Sequence, residues 1–200
     1  MTEVVERPDE QKMCSVVSVE AVWYNIVNER DVMSTDVQNT LILFKPDAVQ
    51  RGIVGEILTR FERVGLKIIA TKMLTPDKQH YHNHYEGIGQ MITRRGQTAF
   101  DVTLAMMVEG PVIAMVLRGV ESVELVRKLV GTTEPKSALP GTIRGDFSHM
   151  SFGYADTKGK GIPNLIHASG DVDEATKEIA HWFTPEELYD YKVINEKFTR

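Results

Sequence analysis

Cysteine is almost absent: Cys14 is the single one in 200 residues. No internal disulfide can form, which removes the small cross-linked secreted scaffolds from consideration and suits a reducing compartment. Long apolar runs are absent too. Hydrophobic residues make up 42% of the chain, yet no run approaches the roughly 20 residues a membrane-spanning helix needs. Excess positive charge is also missing. With 23 Lys+Arg against 28 Asp+Glu the formal net charge is -5. Bulk electrostatic attachment to nucleic acid is therefore not expected, and any phosphate site must be a local concentration of cations. The start has neither the basic region nor the small-residue cleavage site of a secretory signal. These absences point to a soluble cytoplasmic protein, with no membrane and no specific nucleic acid as partner.

Residues 1–39 read as an extension of unknown role and residues 40–200 as one domain. The extension holds Val16, Val17, Val19, Val22, Trp23, Tyr24, Ile26 and Val27, too apolar for a purely disordered tail. Their period suits a short helix or strand from Val16 to Val27, and Met33 stands as an alternative natural start. From Thr40 the pattern runs strand, helix, strand, helical insertion, strand, helix, loop, short strand and terminal helices. Ile53, Ile57, Leu58, Phe61 and Val64 give the first helix an apolar stripe, with Gly65 as its stop. Leu66 to Leu74 reads as a strand, Thr75 as the cap of a helix with Pro76 at its first position, and Val112 to Leu117 as a further strand. Periodicity alone suits a parallel doubly wound sheet as well as an α+β arrangement.

The chemistry concentrates near the C-terminus. Leu165 and Ile166 look like the end of a short buried strand, so His167 leaves the sheet at its edge and is held still. Asp171 and Glu174 then stand at capping-box spacing, and Val172, Ala175, Ile179, Trp182 and Phe183 recur at helical intervals. Glu178 falls at the margin of that stripe, where a partly buried carboxylate can orient an imidazole. A neutral histidine attacks through its unprotonated nitrogen. A carboxylate accepting from the other nitrogen fixes the tautomer and stabilises the charge that develops. Ser169 can support the pair. For a lone histidine the competing reading is a local hydrogen bond on a surface helix.

A second cluster shifts the balance. Pro140-Gly141-Thr142-Ile143-Arg144-Gly145-Asp146-Phe147 is rich in Gly, Pro and charge and reads as an irregular binding loop. Arg144 offers a rigid fork of donors suited to phosphate oxygens, beside glycines that let backbone approach a ligand. The whole stretch from Gly131 to Pro163 has no clear period, while Ile143, Phe147 and Phe152 argue against disorder. His80, His82 and His84 invite a metal reading, but no carboxylate or cysteine completes a site, so exposed helix surface is the expectation.

Taken together, Lys45-Pro46-Asp47-Ala48-Val49-Gln50-Arg51-Gly52, the PGTIRGDF segment and Asn164-Leu165-Ile166-His167-Ala168-Ser169 resemble the nucleoside diphosphate kinase family. The likeness runs from about Thr40 to the C-terminus. It implies an α+β fold, a ferredoxin-like antiparallel sheet with helices packed on it and an inserted helical pair. It also implies ping-pong transfer of the γ-phosphoryl group of a nucleoside triphosphate such as ATP through phospho-His167 to a nucleoside diphosphate. By matching motif positions, Lys45, Arg127, Thr133, Arg144 and Asn164 resemble the nucleotide-contacting residues, Glu178 the partner of the histidine and Tyr85 the active-site tyrosine. Mg2+ is the implied cofactor, and a homo-oligomer, a tetramer or hexamer built from dimers, the implied assembly.

The implied roles suit the residue types, because phosphoryl transfer asks the protein mainly to position groups and neutralise charge. Lys45 follows the apolar run Leu41 to Phe44 and Pro46 stops the ladder there. Taken singly, Lys45 also reads as a charge guarding an aggregation-prone strand, and Arg127 as a solvated helix residue. The chain departs from the family pattern in three places. Gly170 stands where the family has an aspartate that organises magnesium through water; Asp171 is the candidate replacement, with phosphates and water alone as the alternative. The segment between Tyr85 and Phe100 is longer than usual. Arg94 or Arg95 is the candidate phosphate-binding arginine there, and Phe100 either the base-stacking phenylalanine or a core residue. Ser148 to Ile162 is also extended, as a surface hairpin or an oligomer contact. An RNA-binding module on the same sheet is disfavoured by the lack of a basic and aromatic strand pattern. A catalytically silent scaffold member of the family remains the alternative function.

Overall fold

The computed structural model describes residues 36–194 and 196–199. The apolar stretch Val16 to Val27 and the rest of 1–35 lie outside them. Among the described residues the sheet has four strands, β1 (Val37–Phe44), β2 (Lys67–Leu74), β3 (Val112–Val120) and β4 (Ile166–Ala168). Their order in the sheet is β2-β3-β1-β4. Every pairing is antiparallel, which selects the α+β ferredoxin-like arrangement over the parallel one.

The inner strands carry unbroken apolar runs, Leu41 to Phe44 in β1 and Val112 to Leu117 in β3, because both faces of the sheet are covered there. Side chains alternate across a strand. Leu41 and Leu43 of β1, with Val112, Ala114 and Val116 of β3, accordingly pack beneath Tyr81, Met107, Ile179 and Trp182. Ile42 and Phe44, with Met115 and Leu117, meet Ile57, Phe61, Val126 and Val130 on the other side. The first cover comes from the helices Lys78–His82, Gln97–Met107 and Val172–Trp182, the second from Val54–Arg63 and Ser122–Val130. Between β2 and β3 the insertion is built from helices: Lys78–His82 runs into a π-helical turn, Asn83–Ile88, followed by Met91–Arg95 and Gln97–Met107.

Register places the histidine. β4 is three residues long and starts at Ile166, so Leu165 precedes it and His167 sits inside the strand and not past its end, opposite Leu43 and beside the C-terminal end of β1 that leads into Lys45. Gly65 ends Val54–Arg63 as expected, with φ of 88°.

Four local expectations are corrected. Thr75 and Pro76 stay in the connection, and Asp77 caps the next helix by accepting the His80 N–H, because its carboxylate accepts at the cap where Thr75 lies too early. The PGTIRGDF segment is not irregular: Thr142 caps a one-turn helix, Ile143–Phe147. The longer stretch after it folds as the helix Phe152–Thr157, capped by Ser151, in place of a hairpin. His80 and His84 do not sit on exposed surface. The His80 ring stacks on His181 at 4.0 Å between centroids, and His84 is 1% exposed.

Phe61 is fully buried in the second core cluster. Phe61→Ala should lower unfolding free energy by about 3–5 kcal/mol in urea titrations, the cost of lost burial plus the cavity left behind.

Candidate active site

The turn before β4 is built from a backbone conformation that most residues avoid. Leu165 has φ of 71°, and the Ile166 N–H donates to the Asn164 carbonyl across it at 2.8 Å. Such a three-residue turn stores roughly 1–3 kcal/mol of strain and persists only where surroundings over-determine it. Here they do. The Leu165 side chain is fully buried, its N–H donates to Asp47 Oδ2 at 3.0 Å, and its carbonyl accepts the Lys45 N–H at 2.9 Å. The two ends of the KPDAVQRG and NLIHAS motifs are thus one hydrogen-bonded unit.

His167 leaves that turn with its Nε2 2.7 Å from Glu178 Oε1. Glu178 Oε2 accepts the Ser169 hydroxyl at 2.6 Å, and Ser169 Oγ accepts the Leu41 N–H at 3.1 Å. Glu178 is 1% exposed and Ser169 fully buried, so the chain from β1 to the imidazole is dry and fixed. A carboxylate accepting at Nε2 puts the ring proton there and leaves Nδ1 as the lone-pair nitrogen. Burial holds the His167 imidazole neutral, down to about 3, with Lys45 adding to the effect. Burial also raises Glu178 above the usual carboxylate range.

His84 lies behind this pair, in the π-helical turn. Its Nδ1 accepts the Trp182 indole N–H at 3.2 Å and lies 3.6 Å from Glu178 Oε1. Burial keeps it neutral, well below the ordinary histidine range. With Nδ1 accepting from tryptophan, His84 is a poor donor to Glu178, and the carboxylate is left to His167. His84, His167 and Glu178 also present three ligand atoms within 4.8 Å of one another, the arrangement of a possible metal cluster. The hydrogen bonds already made by Nδ1 of His84, by Nε2 of His167 and by both carboxylate oxygens argue for a positioning network there.

A cavity of about 430 Å³ opens in front of His167, a size suited to a small-molecule ligand. Lys45, Arg94, Arg95, Arg127 and Arg144 line it. Lys45 is 7% exposed and Arg144 8%, and neither forms an ion pair with a carboxylate among the described residues. Lys45 Nζ donates to Asn164 Oδ1 at 2.7 Å. Burial, then Arg144, lowers Lys45 to about 8. Arg144 is lowered to about 10 by burial and by Arg127. Three of its N–H groups clamp backbone carbonyls of Asn164, Gly131 and Ile166, leaving two donors of its fork for a ligand. Neighbouring cations that depress one another and lack an anion form a site for one.

Of the residues singled out in the sequence, Lys45, Tyr85, Arg94, Arg127, Thr133, Arg144, Asn164, His167 and Glu178 all line this cavity. Tyr85 has its hydroxyl buried there without a partner, and Thr133 holds Asn164 by accepting its side-chain amide at 2.8 Å. Ser169 sits behind, against Glu178. Two others fall elsewhere. Phe100 is 4% exposed, meets the edge of His82 and does not line the cavity, so it is a core residue in place of a stacking platform. Asp171 is exposed and accepts the Glu174 N–H at 2.8 Å as the cap of Val172–Trp182, off the cavity wall. Glu174, not Asp171, faces the cavity, as do Met91 and Ile162. The capping-box spacing was a signal for Glu174, but only as a helix-starting residue.

The family profile described as "Nucleoside diphosphate kinase" matches residues 38–188. The nucleoside diphosphate kinase of Borreliella burgdorferi is 46% identical over 159 residues, 80% of this chain and 95% of that protein. Nucleoside diphosphate kinase B of Rattus norvegicus is 41% identical over 157 residues, 78% of this chain and 93% of that one. A solved structure described as a transition state mimic of the Borrelia burgdorferi enzyme with bound vanadate and ADP superposes with a TM-score of 0.80 at 44% identity, covering 83% of this chain and 98% of that one. The Halobacterium salinarum enzyme in complex with CDP gives 0.69 at 36% identity, covering 80% and 97%.

Two outcomes are expected from the geometry. Phe100→Ala should cost about 3–5 kcal/mol of stability while leaving nucleotide affinity within about twofold, read by urea unfolding and calorimetric titration. Lys45 binds fewer protons in the folded state than its ordinary value of 10.5 would give. Ligand-free stability should therefore rise with pH between about 8 and 10.5, and phosphate binding at about pH 8.5 should take up a large fraction of a proton, measured by titration in buffers of different ionisation enthalpy. A shift of that uptake to neutral pH would remove Lys45 as its source.

Proposed function

This chain belongs to the nucleoside diphosphate kinase family, an enzyme that passes a γ-phosphoryl group between nucleotides through a histidine, and we propose that His167 carries the group in it. The supporting observation is a neutral imidazole whose Nε2 is tied to buried Glu178, with Nδ1 left for attack, in front of a cavity lined by cations that form no ion pair among the described residues.

In the first half-reaction the Nδ1 lone pair bonds to the γ-phosphorus of the triphosphate. The bond from that phosphorus to the bridging β-oxygen breaks, and the diphosphate leaves with the electron pair. The ring becomes cationic, and the Glu178 carboxylate, held by Ser169, stabilises it through the Nε2 proton. The second half reverses the steps with a different diphosphate, whose terminal oxygen takes the phosphoryl group from Nδ1. Lys45 and Arg144 neutralise charge on the transferring group, and Arg127, Arg94 and Thr133 bind the remaining phosphates. The Tyr85 hydroxyl, unpartnered at the wall, donates to the transferring phosphate or the sugar. In such a site the base is held least, so base selectivity is low. A silent scaffold would have no use for a fixed tautomer beside buried cations.

Mg2+ fits the chemistry of the cavity, since a hard carboxylate oxygen of Glu174 faces it alongside the phosphate-binding cations. When bound with a nucleotide the ion spreads the phosphate charge. Asp171 is spent on the helix cap and is not assigned to it. Among the described residues no helix is long and apolar enough to cross a membrane. We place the protein in the cytoplasm on its single cysteine, as a homo-oligomer built from dimers, a tetramer or hexamer. Exposed Leu139, Tyr154 and Tyr189 offer apolar contact for such assembly. Val37 to Asn39 belong to β1 and pair with β3, so the extension read from the sequence as 1–39 gives up these residues to the catalytic domain.

Incubation with γ-labelled ATP and magnesium should attach label through an acid-labile, base-stable bond, and GDP or CDP should then discharge it. His167→Ala should reduce labelling to background and turnover by at least about 10⁴-fold, as expected for loss of a covalent nucleophile. Normal turnover by that variant would remove His167 from the role.

A further inference from the structure

Two carboxylates reach the cavity and only one is occupied. Glu178 is saturated by His167 and Ser169. Glu174, one helical turn earlier, lines the same wall with His167 and Gly170. Its Oε2 accepts the Gly170 N–H at 2.8 Å. Its Oε1 accepts no hydrogen bond from any described residue. The charges around it are Lys45, Arg94, Arg95, Arg127 and Arg144, yet Glu174 forms no ion pair with any of them. A carboxylate left unpaired on the wall of a polyphosphate site repels the ligand unless a cation stands between the two.

We propose that Glu174 is the protein's own contact for the divalent cation that enters with the nucleotide. Gly170 is what permits it. A Cβ at position 170 would lie 2.0 Å from Glu174 Oε2, so any other residue there displaces the carboxylate from its perch. Gly170 does not have a positive φ. Space, not backbone freedom, is therefore what the glycine supplies, and alanine is acceptable to the backbone.

The carboxylate and the glycine act as a unit: the N–H of Gly170 aims one oxygen and leaves the other toward the cavity. Glu174 thereby links metal binding to nucleotide binding in one site. The cation makes the nucleotide welcome at Glu174, and by reciprocity the nucleotide makes the cation welcome. This rests on the reading that nucleotide phosphates occupy the cavity, and it adds to that reading the residue that senses the ion.

The test is calorimetric titration of the full chain with ADP, once with magnesium chloride and once with a chelator. Wild type should prefer Mg·ADP over metal-free ADP by about tenfold. In Glu174→Gln, Mg·ADP should weaken while metal-free ADP tightens, because the repelling charge is gone, and the preference should fall to about one. Gly170→Ala should weaken the preference too, with the carboxylate chemistry intact but displaced. Manganese in place of magnesium adds a second readout, as the electron paramagnetic resonance of bound Mn·ADP should differ between wild type and Glu174→Gln. Circular dichroism of each variant establishes that it is folded. A Glu174→Gln preference equal to that of wild type, or an equal loss of both affinities, overturns the assignment. Wild type that binds ADP in neither condition overturns the nucleotide reading beneath it as well.

Discussion

A carboxylate at 1% exposure is tolerable only when its oxygens are hydrogen-bonded, and Glu178 satisfies that requirement with two side chains alone. Much of the site follows from it. Oε1 must receive the Nε2 proton of His167, so the tautomer is set and Nδ1 is left bare. Oε2 must receive the Ser169 hydroxyl, which is itself pinned to Leu41 of β1. His84 would compete for Oε1, but its nearer nitrogen accepts from Trp182. The helix Val172–Trp182 therefore contributes both a carboxylate to orient the nucleophile and an indole that keeps a rival from it.

The cavity wall carries the opposite imbalance. Lys45 and Arg144 are buried together without an ion pair among the described residues; burial and then Arg144 lower the proton affinity of Lys45, burial and then Arg127 that of Arg144. A structure optimised for stability alone would pair or remove these charges. The backbone around them is equally committed: Arg144 spends three donors on carbonyls of Gly131, Asn164 and Ile166, and Leu165 is held in a conformation that its neighbours must impose. Strain and unpaired charge are thus concentrated in one turn, where an incoming phosphate relieves the charge and the hydrogen bonds from Asp47 and Lys45 hold the turn.

The catalytic motif was legible because its chemistry is local. The run from Asn164 to Ser169 and the helical period to Glu178 sit within one short stretch, and a strand, a turn and one helical turn carry the geometry. Arg144 stood out as a candidate phosphate ligand by residue type and Lys45 only through the motif that resembles the family, and both line the cavity. What periodicity could not resolve was strand direction, since helices separate the strands in parallel and antiparallel sheets alike, and hydrogen bonds between distant segments decide. PGTIRGDF misled for a related reason: its glycines and proline hide a single helical turn that Thr142 closes with one hydrogen bond.

Phe100, His84, Glu174 and Asp171 mark where local reading ended. Phe100 lies in a helix whose two faces are both apolar enough to be buried, so only packing chose the core over the cavity. His84 seemed one of several histidines on an exposed helix until the π-helical turn rotated it beneath Trp182. Glu174 and Asp171 stand at capping-box spacing, yet only Asp171 caps the helix, and which carboxylate turns toward the cavity depends on the Gly170 N–H that Glu174 accepts, a contact that involves no helical period. By itself the amino-acid order determined the main strands and long helices, the histidine and the carboxylate that pairs with it, and the charged residue types, because those depend on neighbours a few positions apart. Only the tertiary structure decided sheet direction, tautomer, which aromatic is core and which acid faces the ligand, because each depends on groups brought together from far along the chain or on the space left where a side chain is missing.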